Sequence, residues 1–295
     1  MPTTKANGIE LYYEIFGDDD GPPLLLVMGL GAQSTAWEDE FCQGLADRGF
    51  RVIRFDNRDT GLSTKIDHPR FDVLATCLAA ASGDDVAVPY LLTDMAADAV
   101  GLLDALGLDA AHMVGASMGG MIAQTIAIEH PHRVLSLTSI MSTTGDADVG
   151  QPTADAMAVL TAKPATDRAG AIEQGVLATQ VIAGPEHFDA GRARQRAEAA
   201  YDRCNHPRGI GHQLVAILAS GSRTEALRRL TVPTLVIHGD LDPLITPTGG
   251  ERTAEAVPGA ELLVIEGMGH DLPPALWPQI IEAITAVAGR AAAVA

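Results

Sequence analysis

His112-Met113-Val114-Gly115-Ala116-Ser117-Met118-Gly119-Gly120-Met121-Ile122-Ala123 decides how this chain folds. A short apolar run leads into Gly-x-Ser-x-Gly, and a helical pattern then continues to Glu129 before Pro131 closes it. A serine on a sharp strand-to-helix turn is held clear of the backbone, with its Oγ exposed and the positive end of a helix beneath it. Such a turn is strained, and a side chain at Gly115 or Gly119 would crowd the strand or the helix. The stretch marks Ser117 as a candidate nucleophile. The plainer reading is a glycine-rich loop that binds an anion at a helix N-terminus.

Outward from this turn the chain alternates between two patterns. Ile9–Phe16 reads as an edge strand ending at Gly17, and Pro23–Met28 as a continuous apolar run typical of a buried parallel strand. A helix over Ser34–Arg48, a strand over Arg51–Phe55 and an amphipathic helix over Thr93–Leu106 follow. Beyond the central turn come strands at Val134–Met141, Val232–His238 and Glu261–Ile265, with helices at Pro247–Ala256 and Pro274–Ala288. This alternation predicts the α/β class: a doubly wound, mostly parallel sheet covered on both faces.

The rhythm changes between Ser142 and about Leu230. Ala154–Leu160, Arg168–Ala178 and Arg192–Cys204 read as helices there, with no strong strand between them. Residues 142–230 are therefore expected to form a helical cap on a core made of residues 1–141 and 231–295. This cap is expected to govern substrate choice and to carry no part of the chemistry. Thr64–Pro89 reads as a second irregular piece, a lid or binding loop. The tail Ala291–Ala295 is expected to fray.

A formal net charge of −18 argues against nucleic acid and anionic membranes as partners. Cys42, Cys77 and Cys204 are odd in number and widely spaced, which suggests a reducing compartment, no disulfide framework and no zinc site. The first residues lack an apolar core of signal-peptide type, and no apolar run reaches the ~18 residues of a membrane span. A cytoplasmic location follows as the expectation. The expected partner is a small-molecule substrate, and a homodimer is compatible with the sequence.

A nucleophilic serine needs a base within hydrogen-bond reach and an acid to orient that base. Loops after later strands are the place to look. His270, in Gly267-Met268-Gly269-His270-Asp271, follows the strand that ends at Ile265. Asp242, in His238-Gly239-Asp240-Leu241-Asp242-Pro243, follows the strand before it, with Asp240 as its competitor. Both lie at carboxyl ends of parallel strands, as Ser117 does, where open α/β sheets build their sites. Two N–H donors for an oxyanion are expected from Met118 and from Leu30 in Met28-Gly29-Leu30-Gly31. His112 and His238 fall on strands and read as core or sheet-end residues. His68, His130, His132, His187, His206 and His212 read as loop, cap or helix-end residues. No His-Glu-x-x-His or similar ligand spacing occurs, so no catalytic metal is expected.

Gly29-x-Gly31-x-x-Ser34, with Asp56 ending the next strand, comes near a dinucleotide-binding fingerprint. That rival leaves Ser117, Asp242 and His270 without a role.

These motifs together resemble the α/β-hydrolase fold serine hydrolases over essentially the whole chain. Gly-Ala-Ser-Met-Gly, His-Gly-Asp-Leu-Asp-Pro and Gly-Met-Gly-His match that family's nucleophile, acid and base at Ser117, Asp242 and His270. Asp56-Asn57-Arg58-Asp59-Thr60-Gly61-Leu62-Ser63 resembles its Asp-x-Arg-Gly-x-Gly-x-Ser stretch, with Asp59 in the place of the usual glycine. The motifs are closest to the anthracycline methylesterase branch, of which aclacinomycin methylesterase is typical. The family's oxyanion loop usually begins His-Gly, whereas this one begins Met28-Gly29. The resemblance implies a cofactor-independent serine carboxylesterase acting on a small to medium, largely apolar ester. Trp37, Met141, Leu160, Val181, Ile182 and Leu272 are the candidate pocket residues. The same residues could serve a lactonase, thioesterase, cofactor-free perhydrolase or carbon–carbon bond hydrolase. Outside enzymes, a ligand sensor on a hydrolase scaffold is the alternative.

Overall fold

The computed structural model describes residues 2–84 and 86–292. Eight strands form one sheet: β1 (Thr3–Ala6), β2 (Ile9–Phe16), β3 (Pro23–Val27), β4 (Arg51–Phe55), β5 (Ala111–Ala116), β6 (Val134–Ile140), β7 (Thr234–Gly239) and β8 (Glu261–Ile265). Their order is β1-β2-β4-β3-β5-β6-β7-β8. β1 and β2 join antiparallel at one edge, and every pairing from β4 to β8 is parallel. This is the α/β hydrolase fold.

The apolar run of β3 explains the layering. Side chains alternate across a strand, so Leu24 and Leu26 face one side and Leu25 and Val27 the other. The first pair packs with Phe41 and Leu45 of α1 (Asp39–Ala46) and Ile280 and Ile284 of α11 (Trp277–Ala292). The second packs with Met95 and Leu102 of α3 (Leu92–Ala105) and Ile122 and Ile126 of α4 (Met118–Glu129). All four β3 leucine and valine side chains are fully buried, so the strand needs no polar alternation.

Departures from the sequence reading have local causes. β1 was not anticipated. Its hairpin turns on Asn7-Gly8, both at positive φ (47° and 79°), a sequence suited to a two-residue turn. The helix expected over Ser34–Arg48 is a 3-10 turn at Ser34–Ala36 followed by α1. The 64–89 stretch contains α2 (Val73–Ala81), whose N-terminus is capped by Asp72 accepting from the Ala75 N–H. β7 starts at Thr234, past Pro233, and includes Gly239. The expected fraying of the tail falls mainly on residues 293–295, which lie outside the described residues.

Between β6 and β7 lie α5 (Ala154–Leu160), α6 (Arg168–Ile182), α7 (Ala190–Arg203), α8 (Pro207–Ala219) and α9 (Thr224–Leu227). No strand occurs there among the described residues. The end of this stretch is not separate from the sheet: Ala216, Leu227 and Leu230 pack in the same cluster as α3 and α4. The remaining helix, α10 (Thr248–Ala256), packs against β7.

Candidate active site

Ser117 stands between β5 and α4 with φ 57° and ψ −121°. A non-glycine residue with that backbone is strained, and the neighbouring packing holds it there. A Cβ on Gly119 would overlap the Val27 carbonyl, and one on Gly115 would overlap the Gly119 carbonyl. Both glycines are therefore required by close approach of strand and helix. The Ser117 N–H donates to the Ile140 carbonyl at 2.9 Å, and its own carbonyl accepts from Gly120, Met121 and the Ser142 hydroxyl. Its Oγ is left free among the described residues. Ser117 is half-buried while its neighbours from Ala111 to Gly120 are buried, so the turn presents this one side chain.

Asp242 and His270 arrive from the loops after β7 and β8. His270 Nδ1 donates to Asp242 Oδ2 at 2.7 Å. Oδ1 of Asp242 accepts from the N–H groups of Leu244 and Ile245, each at 2.9 Å. The carboxylate is fully buried, and burial works against its charge. The charge of His270 and the hydrogen bonds of the two nearby imidazoles outweigh burial and hold Asp242 down at about 2. The second imidazole is His238, whose Nε2 donates to the Ile245 carbonyl at 2.7 Å and lies 3.4 Å from Asp242 Oδ2. The sequence reading placed His238 at the sheet end and missed this contact. Its position four residues before Asp242 across Gly239 was the available signal. Asp240 instead accepts from the Gly267 N–H at 2.7 Å and ties the two loops together.

The loop after β3 lies over Ser117. A Cβ on Gly29 would stand 3.0 Å from Ser117 Cβ and 3.5 Å from its Oγ. Asn57 donates to the Met28 carbonyl at 2.8 Å, and Asp56 accepts the Ser34 N–H at 2.7 Å. The N–H groups of Leu30 and Met118 are not engaged in a hydrogen bond among the described residues. Asp56 cannot serve a ribose. Its other oxygen accepts the Leu62 N–H and pairs with Arg203 at 2.8 Å. Asp59 lies at φ 67°, which explains why glycine is usual there. Three partners hold it: the Ile66 N–H, the Tyr90 hydroxyl and His212 Nδ1, at 2.7, 2.8 and 2.9 Å.

Of the candidate pocket residues, Trp37 is corrected to the core. It is 1% exposed and stacks on Phe41 at 5.4 Å between ring centroids. Met141 is also buried in that core cluster at the end of β6. Leu160, Val181, Ile182 and Leu272 are half-buried. Ile182 reaches the site through its backbone, since its carbonyl accepts the His270 N–H at 2.7 Å. The 142–230 stretch thus touches His270 through the backbone of Ile182.

The chain matches the alpha/beta hydrolase fold family over residues 22–273. It is 32% identical to rhodomycin D methylesterase DnrP of Streptomyces peucetius, covering 97% of this chain and 98% of that protein. Among solved structures, a meta-cleavage product hydrolase from Pseudomonas fluorescens superposes with a TM-score of 0.78 at 22% identity, covering 99% of this chain and 98% of that one. The enol-lactonase from Burkholderia xenovorans does so with a TM-score of 0.73 at 21% identity, covering 99% and 100%. This chain belongs to the α/β hydrolase family and is a hydrolase.

Proposed function

We propose that the protein is a serine carboxylesterase whose nucleophile, base and acid are Ser117, His270 and Asp242. The observation that carries this reading is the 2.7 Å hydrogen bond from a buried, strongly acidic Asp242 to His270, at the sheet edge where the strained turn presents Ser117. With Nδ1–H given to Asp242, the neutral imidazole has its lone pair on Nε2. Ser117 Oγ bonds to the ester carbonyl carbon as Nε2 takes its proton. The N–H groups of Leu30 and Met118 receive the developing oxyanion. The carbon–oxygen bond to the alcohol then breaks, His270 protonates the departing oxygen, and an acyl-enzyme remains. Water, deprotonated by His270, adds to the acyl carbon; the bond to Ser117 Oγ then breaks as His270 returns a proton to Oγ, and the acid leaves. No metal or organic cofactor enters these steps.

The half-buried Leu160, Val181, Ile182 and Leu272 suit a small to medium, largely apolar ester. Similarity to a methylesterase makes methyl esters the first members of a test panel. The experiment is turnover of methyl, p-nitrophenyl and cyclic esters graded by acyl length, alongside labelling by an organophosphonate. Hydrolysis of the open-chain esters with the label on Ser117 is expected. No ester turnover, or a label elsewhere, would refute the proposal. Preference for the cyclic esters would make the protein a lactonase using the same groups.

A further inference from the structure

Helix α8 reaches the loop that carries the Leu30 N–H. Ile210 and Gln213, three residues apart, share one face of this helix. Ile210 covers Gly31 so closely that a Cβ there would stand 2.8 Å from Ile210 Cγ1. Gln213 is fully buried, and its Oε1 accepts the Gly31 N–H at 2.8 Å. Its Nε2 donates to the Arg58 carbonyl at 2.9 Å and to Thr60 Oγ1 at 2.8 Å. Two oxygens on that side fix which end of the amide faces Gly31. The preceding residue, His212, binds Asp59, so α8 is held on both sides of the contact.

Gly31 lies at φ 66° in Gly29-Leu30-Gly31, where glycine leaves the backbone free to turn. A hydrogen bond on the Gly31 N–H removes that freedom. We propose that Gln213 is a positioning residue for the oxyanion hole. By holding the Gly31 N–H it fixes the orientation of the loop and keeps the Leu30 N–H directed at the reacting carbonyl oxygen. The inference rests on the hydrolytic mechanism above. It places a determinant of the chemical step 182 residues from the loop it controls.

The test pairs steady-state kinetics with binding of an aryl trifluoromethyl ketone. Such a ketone takes Ser117 Oγ onto its carbonyl carbon and so reports on oxyanion stabilisation. Loss of one oxyanion donor typically costs about 10²–10³ in kcat, and a displaced donor should cost less. Gln213→Met, which has no acceptor for Gly31, is expected to lower kcat by about 10–100-fold with KM within about three-fold. Ketone affinity should fall by the same factor. A folded Gln213→Met with kcat within about three-fold of wild type overturns the proposal, as does lost kcat with unchanged ketone affinity. If that variant does not fold, Gln213→Asn, too short to reach Gly31, takes its place in the same measurements. In the wild-type protein the Gly31 amide should exchange with deuterium far more slowly than solvated loop amides, and rapid exchange overturns the proposal whatever the variants do. Full activity in Ser117→Ala would instead remove the hydrolytic mechanism itself. Tight ketone binding that is indifferent to residue 213 removes only this inference.

Discussion

Asp242→Asn changes one atom of the carboxylate, and the structure dictates where that atom goes. Oδ1 accepts two backbone N–H groups, from Leu244 and Ile245, so the asparagine must keep its carbonyl oxygen there. Its NH2 then takes the place of Oδ2, 2.7 Å from His270 Nδ1. An N–H at that point requires Nδ1 to accept, which moves the imidazole proton to Nε2, and an Nε2–H cannot take a proton from Ser117. The carboxylate's attraction for the imidazolium is lost as well, about 4 kcal/mol at ~4 Å and an effective dielectric of ~20. That alone removes about three decades of rate, and the wrong tautomer brings the expected fall in kcat to about 10⁴. Asp240→Asn keeps a carbonyl oxygen for the Gly267 N–H and should stay within about three-fold of wild type, since it removes no group that meets the imidazole. The assay is kcat on a p-nitrophenyl ester for both variants, with circular dichroism to confirm the fold. A natively folded Asp242→Asn within ten-fold of wild type, or a larger loss in Asp240→Asn, would refute the reasoning.

Ser117→Ala should lower kcat by roughly 10³–10⁶ and abolish labelling by an organophosphonate, read by mass spectrometry. The profile of kcat/KM against pH on a neutral ester should show no more than one acid limb. Asp242 stays ionised down to about 2, so a second acid limb above pH 4 would contradict its assignment. His112 is buried against Ser136 and Phe50, and burial pushes its imidazole from 6.5 to about 4. With the folded value depressed, its contribution is intact above the unfolded value and is lost as pH falls toward 4, by about 3 kcal/mol. Urea unfolding at pH 7 and pH 4.5 should show this loss in wild type and not in His112→Gln. Gly119→Ala would drive a Cβ into the Val27 carbonyl; it should abolish folding or cost more than about 4 kcal/mol, measured by thermal denaturation.

The sheet was legible because each parallel strand carries its own signal. Pro23–Val27 is apolar on both faces, as a strand covered by helices on both sides must be. The Ser117 turn, Asp242 and His270 were legible because each sits in a local motif just beyond a strand. Trp37 was misread because an aromatic near an oxyanion loop looks the same in sequence whether it faces a ligand or Phe41. Helix α8 was missed because Gly209 and Gly211 weaken a helical pattern. They are there because the Asp59 carbonyl and Val73 approach too closely for any side chain. The contacts of Gln213 with Gly31 and of the Ile182 carbonyl with His270 carry no sequence signal, since these partners become neighbours only on folding.

The carbonyl of Ile182 on the His270 N–H has a practical consequence for altering what the protein accepts. Libraries over the whole 142–230 stretch would include changes at the contact with His270. A Cβ on Gly184 would overlap the Gly267 carbonyl, and a Cβ on Gly269 would overlap the Ile182 carbonyl, so an error at that seam displaces the imidazole. Saturation confined to Ala154–Leu160 and to the half-buried positions of Arg168–Val181 leaves that seam intact. Variants from that window can be ranked by substrate preference with the His270 contact preserved.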